Sequence, residues 1–323
     1  MSFYWKTRTL ISGDYREVER NLIEYNNKKV IAKYKGKEDI YCVIRVFSDE
    51  GGLFCLWFKA LEGIRYSLQN GFIPVIDMQT KENILTTKAQ RKQINIWEKF
   101  FEQPVKDYHY EDVKNKPNKV IIENPMGPID YCELCYSPEI LSYWRKLVNK
   151  YSRYSGEVIK SIDLYEKKFG DMSDTLGVLA RGTDYLNPAL GHLIKLGTED
   201  IADIIDEKLE KYNLKRVFVA TEDSNILDAL KEKYGDRLMY VEQKRYKGET
   251  KAMLGHLDDY VKDAVDMNIA YLTAMHLLSR CEYFWGAKTT GSMGVNLMRL
   301  NGFKEFELWK SPLDINLYDE TKL

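Results

Sequence analysis

The sequence predicts an α/β chain made of two doubly wound halves, each carrying a parallel sheet. Three observations predict it. From residue 175 onward, short apolar runs alternate with helical patterns of ten or more residues, the signature of parallel strands joined by crossovers. The first half holds a strand, a glycine-bearing turn, a helix and a second strand, in βαβ order. The chain of 323 residues is also long enough for two cores of ordinary size.

The elements follow in order. "DIYCVIRVF" (39–47) reads as the first strand and leads into the turn "SDEGGLF". An amphipathic helix runs through "WFKALEGIRYSLQNG", with Asn70-Gly71 as its C-cap, and "FIPVIDM" (72–78) follows as a buried strand. Residues 89–101 read as another helix. The stretch 113–130 is loop-rich with a short strand and holds three of the eight prolines. From Ser137 to about Lys168 the pattern is helical and tyrosine-rich, long enough for one helix bridging the halves. The halves are therefore residues 1–168, ending in that helix, and 169–323. In the second half, strands are expected at 176–180, 216–221, 237–242, 282–287 and 305–309. Helices are expected at 198–212, 224–234, 259–280 and 291–300.

Composition narrows the class. Hydrophobic residues make up 44% and charged residues 30%, and 48 basic against 49 acidic side chains leave a net charge of −1. No basic excess suits a nucleic-acid track. The opening has no apolar signal region and no run is long enough to span a bilayer, so a cytoplasmic protein is expected, with any membrane contact peripheral. Cys42, Cys55 and Cys281 sit in apolar contexts, as small core residues do. Cys132 and Cys135 form one CxxC, but the four histidines at 109, 192, 256 and 276 are scattered. No second ligand pair accompanies it, so no metal is expected.

Ligands of open parallel sheets bind at the carboxyl ends of the strands. Three such ends are polar here: Arg181-Gly182-Thr183-Asp184, Thr221-Glu222-Asp223 and Lys288-Thr289-Thr290-Gly291-Ser292. Cations and helix-start amides gathered on one edge make an anion site. Arg181 is the strongest candidate, because a guanidinium matches phosphate oxygens with parallel N–H bonds. Gly182 permits an unusual turn or a close approach behind it. A salt bridge from Arg181 to Asp184 or Glu222 explains the same residues structurally. Thr289 or Thr290 can cap the next helix, and Lys288 adds a point charge. Lys288 precedes Gly291, so the segment is not a P-loop, and no GxGxxG turn occurs. Glu222 and Asp223 suit a helix start, or could face ribose, base or a cation. No Asp-x-Asp is present.

Taken together and in this order, "LARGTD", "ATEDSNIL" and "GAKTTGS" resemble the fucosyltransferase-like glycosyltransferases of GT-B type, with two Rossmann-like domains facing across a cleft. That superfamily includes α-1,6-fucosyltransferases and protein O-fucosyltransferases. "EGGLFCLWFKALEGIRYSLQNGFIPVIDM" resembles its N-terminal turn and helix, and strands ending in "RGTDY" are similar to proteins of bacterial surface-polysaccharide loci. The resemblance implies a GDP-sugar donor, usually GDP-fucose, inversion at the anomeric carbon and no metal. It also implies that Arg181 holds the β-phosphate and that Thr289, Thr290 and Ser292 bind the diphosphate. Two departures stand out: Leu179 replaces a histidine, and Ala270 and Ala274 occupy the stretch where relatives carry a guanine-reading acid. Asp263 and Asp266 lie a turn or two earlier.

The function expected is therefore metal-independent transfer of fucose or a related sugar to an oligosaccharide or lipid-linked glycan acceptor. The donor side would comprise Arg181, Gly182, Asp184, Glu222, Asp223, Lys288, Thr289, Thr290, Gly291 and Ser292. Arg181, Lys288 and the amides at 290–292 would stabilise the leaving diphosphate. His192, Glu199 and Asp77 are candidates for the base, with Asp184 set behind them as a brace of its turn. Phe54, Trp57, Phe58 and Tyr66 could stack on an acceptor sugar, although their helical spacing also suits a core. Two other readings are a catalytically silent nucleotide- or glycan-binding protein and a phosphate-binding isomerase or phosphatase.

Overall fold

The computed structural model describes residues 3–48, 51–125, 138–186, 196–248 and 254–309. His192 and the Cys132/Cys135 pair lie outside these ranges. Helix α1 (Phe3–Tyr34) comes first, and no sequence pattern predicts it. Its apolar residues scatter around the circumference, so no stripe announces it. Strand β1 (Tyr41–Arg45), helix α2 (Leu53–Gln69) and strand β2 (Ile73–Asp77) form the expected βαβ unit. Gly71, at φ +70°, provides the left-handed residue that ends α2.

The helix expected at 89–101 is instead two single turns, α3 (Lys88–Arg91) and α4 (Trp97–Phe100). Between them Asn95 turns its side chain onto β2, donating to Ile76 O at 2.7 Å and accepting from Met78 N at 3.0 Å. Helix α5 (Tyr110–Val113) and strand β3 (Lys119–Glu123) complete a three-stranded parallel sheet of order β2-β1-β3.

The bridging helix is also divided, into α6 (Pro138–Tyr151) and α7 (Gly156–Phe169). The sequence pattern is continuous, but the backbone at 152–155 has better partners elsewhere. Glu102 N donates to Arg153 O, Ser155 N donates to Phe100 O, and Ser155 caps the new helix at Val158 N.

Strand β4 (Thr175–Leu179), helix α8 (Thr198–Lys211), strand β5 (Arg216–Ala220), helix α9 (Ser224–Tyr234) and strand β6 (Leu238–Met239) then alternate as expected. Helix α10 (Asp258–Arg280), strand β7 (Tyr283–Ala287), helix α11 (Thr290–Met298) and strand β8 (Glu305–Trp309) follow. The second sheet is five-stranded and parallel, with order β6-β5-β4-β7-β8. Strand β4 sits at its centre and is buried throughout. Strand order reverses around it, because β5 and β7 flank β4. That switch point opens a crevice at the carboxyl edge.

One large core serves both sheets. Ile44 and Trp57 from the first part and Leu179, Phe218 and Phe284 from the second belong to the same buried cluster. Gly294 of α11 lies against the Phe54 ring of α2, where a Cβ would collide with it. No described helix is long and apolar enough to cross a membrane.

Candidate functional site

The carboxyl ends of strands from both sheets open onto one cavity of about 610 Å3. Ser48, Ile84 and the Gly51–Cys55 turn form the wall from the first sheet. Arg181, Asp184 and Glu222 come from the ends of β4 and β5, and Lys288, Thr289, Thr290 and Gly291 from the end of β7. The three polar segments singled out in the sequence thus meet at one edge, because β4, β5 and β7 are neighbours in the sheet.

The Arg181 turn is built largely by carboxylates. Its guanidinium pairs with Glu222 Oε2 at 3.2 Å and with Asp184 Oδ1 at 3.4 Å, and its side chain is only 16% exposed. Glu222 Oε1 also accepts from Gly182 N at 2.8 Å. Gly182 is required for a contact inside the protein: a Cβ there would stand 2.5 Å from Asp223 Oδ2 and 2.6 Å from Asp223 Cβ. Thr183 adopts φ +49°, a strained conformation for a β-branched residue. Its hydroxyl donates towards Asp184 Oδ1 (3.0 Å) and Glu222 Oε1 (3.2 Å), and its N–H towards Asp223 Oδ2 (3.4 Å). These bonds hold the strained turn and so fix where Arg181 points.

Asp223 is the N-cap of α9, with Oδ1 accepting from Asn225 N at 2.8 Å. It lies behind the Arg181 turn and is not among the residues lining the cavity. At the third segment Thr289 is the N-cap of α11, accepting from Ser292 N at 3.3 Å. Ser292 is fully buried and its hydroxyl donates to Ala287 O, so it supports the turn from within. Lys288, Thr289, Thr290 and Gly291 face the cavity. Helix-start amides and a lysine converge there, and the dipole of α11 adds to their charge.

Other candidates stand apart. Glu199 is exposed in the first turn of α8 and does not line the cavity. Asp77 is buried and engaged: Oδ2 pairs with Arg45 at 3.1 Å, and Oδ1 accepts from Gln79 N and Thr80 N. It too is absent from the cavity wall. Of the α2 aromatics, Trp57 and Phe58 are core, and Tyr66 is 38% exposed beside Phe72. Phe54 borders the cavity and meets Tyr271 edge-on at 5.5 Å.

A further wall comes from residues that sequence analysis did not identify. Tyr260, Met267, Asn268 and Tyr271 of α10 line the cavity. Their spacing of i, i+7, i+8 and i+11 places them on one helix face. Polar groups on an otherwise core-facing stripe were the available signal. Burial pushes the Tyr260 phenol up; its bond to Asn268 and the Arg181 charge oppose this, and Asp184 adds to it. Gln243 and Lys244, on the segment after β6, close the cavity on that side. Lys244 pairs with Asp259 (2.8 Å) and Asp263 (3.1 Å), which hold its pKa above the usual lysine value. Asp263 is therefore engaged with Lys244, Asp266 is exposed, and Ala274 is buried in the core. Among the described residues no group of three or more His, Cys, Asp or Glu side chains is arranged to hold a metal.

No protein-family model matches the sequence, and a search of curated proteins returns no match. Solved structures do match. Fucosyltransferase NodZ from Bradyrhizobium aligns at 16% identity over 81% of this chain and 93% of its own, with a TM-score of 0.50. Arabidopsis thaliana FUT1 in complex with GDP aligns at 12% identity over 87% of this chain and 74% of its own, also with a TM-score of 0.50. At such identities the likeness concerns architecture, and it establishes that this chain has the mixed α/β, parallel-sheet fold of the GT-B fucosyltransferases.

Proposed function

We propose that this chain is a glycosyltransferase that takes a sugar from a GDP-sugar, fucose or a close relative, and passes it to a glycan acceptor. The observation that carries the reading is the convergence of Arg181, Lys288 and the start of α11 on one cavity at the switch point of a parallel sheet. The shared fold with NodZ and with GDP-bound FUT1 supports it. On this reading residues 169–323 hold the donor, and residues 1–168 present the acceptor from the wall formed by Ser48, Ile84 and Gly51–Cys55. The acceptor is an oligosaccharide or a lipid-linked glycan of a surface polysaccharide, assembled on the cytoplasmic side.

The chemistry asks for charge stabilisation. Breaking the bond between sugar and diphosphate leaves negative charge on the β-phosphate, and pre-placed donors aimed at that charge lower the barrier. Arg181 is pre-placed by Glu222 and Asp184, so little reorganisation is needed when the diphosphate arrives. Lys288 and the amides at the start of α11 would receive the rest of the charge without a metal. Inversion requires the acceptor hydroxyl to attack from the face opposite the leaving group. The two cavity carboxylates, Asp184 and Glu222, both touch Arg181 and so stand on the leaving-group side. The attacking side is then the wall from the first sheet.

The test is transfer from GDP-fucose, followed by mass spectrometry of the glycan product. Arg181→Ala is expected to lower turnover by about 100-fold or more; the chain still folds, at a lower urea midpoint, because Glu222 and Asp184 lose their cation. Near-normal turnover in that variant contradicts the assignment. Nucleotide binding without any transfer would favour the silent binding protein.

A further inference from the structure

We propose that the α10 wall of the cavity is a sugar subsite in which Asp184, Tyr260 and Asn268 bind hydroxyls of the neutral ring of a nucleotide-sugar. The proposal rests on the nucleotide-sugar reading above and adds to it Tyr260 and Asn268, which no sequence motif marked. Asn268 is 2% exposed and lines the cavity. Its Nδ2 donates to Ala264 O at 2.7 Å and to Tyr260 Oη at 3.2 Å. Both amide protons are thereby committed, which fixes the orientation of the group. The Oδ1 atom accepts no hydrogen bond among the described residues. Asp184 is arranged in the same way. Its Oδ1 takes the Thr183 hydroxyl and Arg181, and its Oδ2 accepts nothing among the described residues.

Tyr260 joins the two. Its oxygen accepts from Asn268, so its own proton remains to be given, and burial keeps that proton on the phenol. Arg181 and Asp184 both act on the Tyr260 phenol electrostatically, which places the three groups in one neighbourhood. The wall therefore offers two acceptors, one of them charged, and one donor.

That pattern selects the ligand. A phosphate brings acceptors and negative charge, and would meet the Asp184 carboxylate with repulsion. A sugar hydroxyl both donates and accepts, and can satisfy all three groups. Met267 and Tyr271 border the same face of α10 and give an apolar surface for the C–H face of a ring. The cavity is thus divided by chemistry: Arg181, Lys288 and the start of α11 take the diphosphate, and Asp184 with the α10 wall takes the ring. Vicinal hydroxyls are present both on ribose and on a transferred sugar.

Calorimetric titration of the full chain with pyrophosphate, GDP, GDP-fucose and UDP-glucose tests the assignment. Asn268→Leu is the informative variant, because it removes the acceptor and touches none of the groups assigned to the diphosphate. It is expected to weaken the bound nucleotide-sugar by about five- to tenfold and pyrophosphate by less than about twofold. Asp184→Asn is expected to weaken the same ligand by a similar or larger factor. A loss already present with GDP assigns the wall to ribose, and a loss confined to the nucleotide-sugars assigns it to the transferred sugar. Unchanged affinity of Asn268→Leu for every probe, or an equal loss for pyrophosphate, overturns the subsite. Nucleotide-sugar binding that Asn268→Leu weakens, in a parent that ignores pyrophosphate, would keep the subsite and remove the diphosphate cradle. A parent that binds none of the probes overturns both.

Discussion

Gly182 sits where the side chain of Asp223 packs against the backbone. Its position after Arg181 predicts close approach at that point, and the structure supplies the approaching group from within. Asp223 packs where a Cβ would be, at 2.5 to 2.6 Å. Gly182→Ala must therefore displace the N-cap of α9 and the acceptor of Thr183 N together. The expected cost is about 1–3 kcal/mol, read as a lower urea midpoint at unchanged slope. Gly291→Ala is a useful contrast, because its Cβ would meet the hydroxyl end of Tyr271, a side chain that can swing aside. It should leave stability nearly as it was and act on ligand binding instead, since both residues line the cavity. A stability loss for Gly291→Ala as large as that for Gly182→Ala would contradict this distinction. The four-residue segment from Arg181 to Asp184 was legible because it is local. The pairing of Arg181 with Glu222 was named only as one of two options, and the structure has both.

At the scale of elements, regular strand-helix alternation was readable because burial on both faces leaves continuous apolar runs. What escaped depends on distant partners. The two edges of the first sheet are covered by side-chain amides. On β3, Asn27 donates to Ile121 O at 2.6 Å and accepts from Ile121 N at 2.9 Å. On β2, Gln103 accepts from Ile76 N at 2.8 Å and donates to Ile76 O at 3.0 Å. These amides mimic missing neighbour strands, but positions 27 and 103 carry no local mark of it. The same logic divided the expected helices at Asn95 and at Ser155. Helix packing also makes a pH prediction. On the seam between α7 and α10, burial lowers the His276 pKa below 6.5; Glu166 Oε1, at 3.2 Å, opposes this and Arg280 adds to it. Between the folded and unfolded values, the unfolded chain binds a proton that the folded chain does not. Stability should therefore fall as pH drops below about 6.5, and His276→Gln should reduce that fall. Urea midpoints at pH 7.5 and 5.5 check it; an identical pH dependence in the variant would remove His276 as the cause.

At the scale of the whole molecule, the two sheets suggest two independent units, but their packing argues for cooperative unfolding. Trp57 Nε1 donates to Ser152 Oγ at 2.6 Å, and Arg145 of α6 donates to Asn296 O and Oδ1 of α11. Thr273 of α10 donates to Ser161 of α7 at 2.8 Å. Phe54 of α2, 2% exposed, packs against Gly294 of α11 and Tyr271 of α10. Each of these contacts joins residues before 169 to residues after it, or ties the segments that connect them. The buried cluster that holds Trp57 and Phe54 runs without a gap across the expected boundary, through Val158, Ile162 and Met172. Residues 1–168 and 169–323 expressed separately are therefore expected not to fold, because each would expose half of a shared core. In the whole chain, tryptophan fluorescence and far-UV circular dichroism should report one coincident urea transition. Phe54→Ala should shift that single transition by about 3–5 kcal/mol, and a saturating nucleotide should shift it the other way by mass action. Two resolved transitions, with only one moved by Phe54→Ala, would mean that the halves are joined by the cavity alone and that the shared core does not couple them.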